Sequence, residues 1–310
     1  MSRVALVLLL PFILSACAST PKHAETALAA DEAPAEAAPA DAAPAEEAPA
    51  ALSAKNFNLA DIPFAAFDPD KPEGLHVYPL TGNPKEGPFN AIVRMPPGFM
   101  SPLHSHSANY TGVAMSDSMV HGTSAGAKET VARGSYWHQV AGEPHVDGCM
   151  SEEPCYLLAF FDGAVDMVPA DAPAAEPTVH VTPGDQVKWE EVKGGVQMAV
   201  IHGNPKEGSF HALFQFPAGM TTNLHTHSSS FAGALVSGSH ERGAAADQLV
   251  ALSPGGVWSE PAGSAHMEKC GADSPCLFAV AMDGALNTEA VELTPAADAA
   301  PAAEAAPATE

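Results

Sequence analysis

The chain has 310 residues, enough for two ordinary domains, but much of its 46% hydrophobic content is Ala in low-complexity stretches rather than core-forming Val, Leu, Ile or Phe. Thirteen Lys and Arg stand against 37 Asp and Glu, a formal net charge of -24, and a surface this acidic repels phosphate backbones, which excludes nucleic acid as a partner. No apolar run approaches the roughly 20 residues of a membrane-spanning helix, which excludes a polytopic membrane protein.

Residues 1–17 read as a targeting signal. Met1-Ser2-Arg3 carries one positive charge, Val4 to Leu14 is an apolar run, and Leu14-Ser15-Ala16-Cys17 closes it with small residues. The Cys after Leu-Ser-Ala resembles the lipobox of bacterial lipoproteins. That resemblance implies lipidation of Cys17, which becomes the new N-terminus and anchors the protein to a membrane without spanning it. By the same resemblance the non-acidic Ala18 favours the outer membrane, so the protein is expected to be exported and to face the oxidising periplasm. Residues 18–54 are rich in Ala, Pro and acids, cannot bury enough surface to offset ordering, and predict a disordered, extended tether. The same composition returns in a linker at 169–177 and a tail at 295–310, leaving two foldable pieces, 55–168 and 178–294.

The two pieces are copies of one another. Gly82-Asn83-Pro84-Lys85-Glu86-Gly87 recurs from Gly203 to Gly208, and the same offset takes His104 to His225, His106 to His227, Trp137 to Trp258 and His145 to His266. It also takes Cys149 to Cys270 and Cys155 to Cys276, with no insertion between landmarks, which identifies a tandem duplication. Short apolar or alternating runs such as Phe89 to Met95, Tyr110 to Met115 and Phe210 to Phe216 read as strands, punctuated by Gly, Pro, Asn and Ser. Neither copy contains a long amphipathic helical pattern. The expected fold is therefore all-β, with two tandem antiparallel jelly-roll barrels of about 110 residues each.

Two His at i and i+2 on a strand point to one face, so His104 and His106 can reach one ion, and His145 from another strand completes a facial set. His225, His227 and His266 repeat the arrangement. Gly98-x5-His104-x-His106, Gly219-x5-His225-x-His227 and Pro261-x-Gly263-x-x-His266 resemble the two motifs of the cupin superfamily, and the chain resembles a bicupin; Val140 replaces the Pro in the first copy. The resemblance implies that all six histidines ligate metal. The family's acidic ligand position falls on Tyr110 and Phe231, which supply no carboxylate, so three-histidine sites are expected, as in acetylacetone-cleaving and thiol dioxygenases that use iron. The strings YTGVAMS and GSYWHQVAGEPH also resemble a family of secreted bicupins.

The implied cofactor is a divalent transition metal, iron or zinc, one per barrel. Tyr110 and His138, which become Phe231 and Ser259 in the second copy, are the candidate groups for orienting a ligand or donating a proton. Tyr110 reads equally as an aromatic filling the barrel. Cys149-x5-Cys155 and Cys270-x5-Cys276 flank turn-like sequences and, in an oxidising compartment, predict two disulfides. The competing reading is zinc held by His-x3-Cys, from His145 to Cys149 and His266 to Cys270. His76, His121, His180, His202, His211 and His240 do not recur and read as surface or structural. The functional expectation is a metal-dependent, oxygenase-type enzyme acting on a small anionic or dicarbonyl compound. The alternative is a non-catalytic envelope lipoprotein that binds a metal or small ligand. Neither the oligomeric state nor a protein partner is legible.

Overall fold

Each barrel is built around a large antiparallel sheet whose two faces are both buried. The computed structural model describes residues 54–123 and 128–291; the expected signal segment with Cys17, the expected tether up to residue 53 and the expected 295–310 tail lie outside the described residues. In the first barrel the large sheet runs in the order Ala65–Ala66, His76–Gly82, Phe89–Met95, Cys155–Phe161, Tyr110–Ala114, Tyr136–Gln139. A three-stranded sheet (Val146–Cys149, Met119–Gly122, Lys128–Val131) and the short pair His104–Ser105 with Val168–Pro169 close it. The second barrel repeats this plan strand for strand: Phe210–Phe216 and Cys276–Met282 are central, Phe231–Ser237 and Val257–Glu260 lie beside them, and Met267–Cys270 lies in the smaller sheet. The constant repeat offset is therefore a constant structural register. Among the described residues no helix is long and apolar enough to cross a membrane.

Period-two alternation explains why the central strands are nearly continuously apolar. In Cys155–Phe161, Leu157, Ala159 and Phe161 turn into the barrel while Leu158 and Phe160 turn outward. Those outward residues meet Leu213, Ala232, Ala234, Ala279 and Ala281 of the second barrel in one shared apolar layer, flanked by separate interior cores. Small Ala side chains on the second sheet let the first sheet's Ile92, Leu158 and Phe160 approach closely. Each such fully buried large side chain contributes about 2 kcal/mol.

The barrels also exchange their leading segments. Lys55–Phe57, at the start of the first repeat, pairs with Val257–Glu260 of the second barrel (Lys55 opposite Ser259, Phe57 opposite Val257). In return Thr182, near the start of the second repeat, bridges to Tyr136 of the first barrel, each backbone N–H donating to the other's carbonyl at 3.0 and 2.8 Å.

His138 lies in this interface and not in the barrel. Trp137 points inward and its neighbour on the strand must point out, so His138 stacks on His202 of the second repeat at 4.0 Å between ring centroids. Thr111 Oγ1 hydrogen-bonds with His138 Nδ1 (3.2 Å) and with His211 Nδ1 (2.8 Å). His138, His202 and His211 thus form a cross-repeat cluster. The expectation that His138 serves the first metal site is corrected, and His202 and His211 are more than surface residues.

Both expected disulfides are present, Cys149–Cys155 and Cys270–Cys276, with Cα separations of 5.5 and 5.7 Å. Each ties the end of a small-sheet strand to the start of a central strand of the large sheet. With the sulfurs bonded to one another, no thiolate is left for zinc, and the His-x3-Cys reading falls.

Gly112 and Gly233 sit at equivalent positions where a Cβ would drive into the indoles of Trp137 and Trp258. Gly112→Ala and Gly233→Ala are each expected to destabilise the fold by about 1–3 kcal/mol, as overpacking does. Chemical denaturation followed by tryptophan fluorescence checks this.

Burial, then the neighbouring His202 and His138, press the His211 imidazole down to about 3, against the nearby Asp162. Its folded value lies below the unfolded one of 6.5, so on acidification the unfolded chain takes up this proton first. The stability associated with neutral His211 is complete above 6.5 and lost as pH falls toward 3. His211→Gln is expected to flatten the pH dependence in that window by up to one proton, about 1.4 kcal/mol per pH unit. Urea midpoints measured across the window read it directly.

Candidate metal centre

The triads are assembled by backbone pairing between two short segments. In the first barrel His104 N donates to His145 O (3.0 Å) and His145 N donates to His104 O (2.7 Å). This antiparallel bridge places the two imidazoles 4.4 Å apart, and His106, two residues on, lies 4.9 Å from His104 and 5.1 Å from His145. The second barrel reproduces the bridge at 2.9 Å in both directions, with ring separations of 4.3, 5.0 and 5.2 Å. Gly142 and Gly263 turn the chain before the third histidine with φ of 76°, a conformation that favours glycine. Their N–H groups donate to the carbonyls of His106 and His227, each at 2.8 Å.

All six sequence-predicted ligands are thus brought together in two sets of three. In each set the ligand nitrogens lie within 4.8 Å of one another. Every Nδ1 faces a backbone carbonyl: His104 to Pro102 (2.9 Å), His145 to Glu143 (3.1 Å), His106 to Asp166, His225 to Asn223 (2.8 Å), His266 to Ser264 (3.1 Å) and His227 to Asn287. An Nδ1–H donating to a carbonyl leaves the Nε2 lone pair directed at the shared centre, which is how metal-binding imidazoles are oriented. His266 Nε2 is buried with no hydrogen-bond partner, as expected of a nitrogen reserved for an ion. Burial pushes His106 and His266 down to about 4, so both rings are neutral and able to ligate at ordinary pH. The donor set fits a divalent metal in each barrel.

Tyr110 reaches the first centre. Its Oη accepts from Trp137 Nε1 (3.2 Å) and stands 3.5 Å from His145 Nε2, and burial raises its phenol well above the ordinary value. The tyrosine is therefore both a barrel-filling aromatic, stacked on Phe161 at 4.7 Å, and a protonated hydroxyl beside the triad.

Sequence reasoning missed the carboxylates. Asp147 and Glu268, two residues after the third histidine of each triad, turn to the same face of their strands as that histidine. Asp147 Oδ2 lies 3.4 Å from His145 Nε2 and 3.9 Å from His104 Nε2, while Oδ1 pairs with His121 Nδ1 at 2.8 Å. Burial alone would raise Asp147, but His121 and His145 hold it well below the ordinary carboxylate value. Burial opposes the charge on His145 too, yet Asp147 carries that ring above its ordinary value. In the second barrel, Glu268 Oε1 faces Arg242 Nη2 (3.6 Å) and His240 Nε2 (3.8 Å), and Arg242 Nη1 lies 3.4 Å from Glu260. His121 and His240 are accordingly buried members of the two sites' surroundings and not surface residues. The pattern His-x-acid recurs at the repeat offset and was the available signal.

Two jelly-roll barrels in tandem, each with three converging histidines that could hold a metal ion, define a cupin-like double barrel. The chain belongs to the family described as Domain of unknown function (DUF4437), whose model matches residues 79–289 and so spans both barrels. No curated protein matches it. Among solved structures it is similar to a protein of Nostoc punctiforme that carries a provisional dioxygenase assignment, with 14% identity, a TM-score of 0.61, and coverage of 78% of this chain and 88% of that one. Oxalate decarboxylases of Lactobacillus farciminis (14% identity, TM-score 0.49, 76% of this chain and 88% of that one) and Bacillus subtilis (16%, 0.49, 76% and 79%) also align. The Bacillus subtilis enzyme holds Mn(II) centres. What these low identities share with the present chain is the fold.

Protein isolated without chelator is expected to carry about two divalent ions per chain, falling to about one in His104→Ala or His225→Ala and to none in the double variant. Elemental analysis of the three variants beside the wild type provides the check.

Proposed function

We propose that this bicupin is an exported, lipid-anchored, periplasm-facing enzyme of oxygenase type that acts on a small anionic or dicarbonyl compound. The observation that carries the reading is the donor set: three imidazoles per barrel, each oriented by a backbone carbonyl toward one shared point. Iron or zinc is the proposed ion. When bound, the ion supplies Lewis-acid polarisation of a substrate oxygen, and iron adds redox chemistry.

The chain's own residues do the rest. Backbone carbonyls hold the ligating rings in one tautomer, so little reorganisation accompanies binding. The apolar lining from Phe89, Val93, Met95, Leu157 and Phe161 keeps bulk water from the first centre. Trp137 Nε1 donates to the Tyr110 oxygen, which leaves the phenolic proton directed at the first triad, where it can polarise the site. Cys17 supplies the lipid attachment in this reading.

The test is oxygen uptake by the metal-loaded full chain with acetylacetone and with a small thiol. The expected result is turnover with one of them, abolished in the double variant His104→Ala/His225→Ala. Cys17→Ser is expected to shift the protein from the membrane to the soluble fraction. Metal-loaded protein with no turnover on either class rejects the oxygenase reading and leaves a binding protein.

A further inference from the structure

The duplicated centres differ in what surrounds the same three histidines. In the first barrel the cavity against His104 and His106 is about 90 Å³ and mostly apolar, with Tyr110 and Asp147 at its polar end, and a separate polar cavity of about 310 Å³ touches His121 and His145. In the second the cavity is about 630 Å³, and Thr222, Asn223 and Asn287 line it together with Phe216, Phe231 and Met282. The first volume holds a few waters; that of the second barrel is in the range of small-molecule sites.

The carboxylates differ in the same sense. Asp147 is pinned by His121 through one oxygen, and its other oxygen lies 3.4 and 3.9 Å from two of the three ligating nitrogens. An ion shared by those nitrogens has this oxygen among its neighbours. Glu268 is one methylene longer, and its equivalent partner is Arg242, fully buried against Trp258 at 4.7 Å. The Glu268 carboxylate is drawn toward Arg242 and His240, and among the described residues no triad nitrogen of the second barrel lies within 4.0 Å of a carboxylate oxygen. His266 Nε2 is left without a partner.

We propose that the two centres have divided their tasks: the first is a closed centre with Asp147 as fourth protein ligand, which retains its ion, and the second is an open three-histidine centre that takes the organic ligand. This rests on the reading that each triad holds a divalent ion. Closed sites with four protein donors retain metal, whereas sites with three keep a position for substrate. The charges agree. A divalent ion beside Asp147 is half neutralised, while beside three neutral imidazoles it keeps its full charge and favours an anionic oxygen donor. The ligand class assigned to the second barrel is therefore a small organic anion with two adjacent oxygen donors, its apolar remainder resting against the Phe and Met side chains.

The experiment uses full-length protein loaded with Co²⁺, whose visible spectrum reports coordination. His225→Ala retains only the first centre and His104→Ala only the second. The bidentate probe is acetylacetone. The expected result is a spectral change on adding the probe to His104→Ala and none with His225→Ala. Chelator competition is expected to show the first centre holding Co²⁺ at least tenfold more tightly, and Asp147→Asn, combined with His225→Ala, to erase that advantage. Equal responses of the two centres to the probe overturn the division of tasks. So does an unchanged affinity in Asp147→Asn, and should that variant fail to fold, the probe comparison decides alone. Absence of cobalt from both single variants overturns the metal reading itself, and the division with it.

Discussion

The reciprocal pair of backbone hydrogen bonds between His104 and His145, repeated between His225 and His266, is the constraint on which each site depends. One residue on each of two short segments is both a ladder partner and an imidazole bearer. Closing the barrel and converging the ligands are therefore the same event. His106 and His227 follow by strand period alone, and the glycine turns at 142 and 263 lock them in place by donating to their carbonyls. Metal binding in such a frame needs little rearrangement, and the free energy of coordination adds to the stability of the barrel that presents the ligands.

A second constraint acts between the barrels. The large sheets carry apolar residues on both faces, and a barrel alone would leave Ile92, Leu158 and Phe160, or Leu213, exposed as a contiguous patch. The shared layer and the exchanged leading segments remove that patch. The cluster of His138, His202 and His211 lies in the same layer and adds a pH-sensitive element to an otherwise apolar contact. It also explains why polar residues occur on strands that otherwise read as core.

Much of this was legible in the sequence. The duplication, the all-β character, the two converging histidine triads and the disulfides each rest on landmarks retained at one offset, and local spacing carries the physics. What was not legible depends on orientation or on divergence. His138 is adjacent in sequence to inward-facing Trp137, and only the phase of the strand shows that it must face out. The segment Lys55–Phe57 pairs across repeats, which no local pattern encodes. Asp147 and Glu268 are different residues at equivalent positions, so identity at the repeat offset does not mark them, and His121 is likewise replaced by Arg242.

Those same replacements bear on how a duplicated metal site diverges. The ligands and their carbonyl anchors are retained in both copies, since losing any of them would leave buried imidazoles unsatisfied as well as weaken the ion's hold. The freedom lies one layer out. Exchanging His121 for Arg242, Asp147 for Glu268, Gln139 for Glu260 and Tyr110 for Phe231 alters where the negative charge sits without moving a ligand. In the second barrel a buried guanidinium between two carboxylates is costly unless compensated. Burial raises the Glu260 carboxyl, while Glu268 stays below its ordinary value because His240 and Arg242 outweigh burial. That compensation holds Glu268 away from the triad that borders the larger cavity. The chemical difference between the two barrels is thus set by the pairing of one carboxylate, with imidazole in one case and guanidinium in the other.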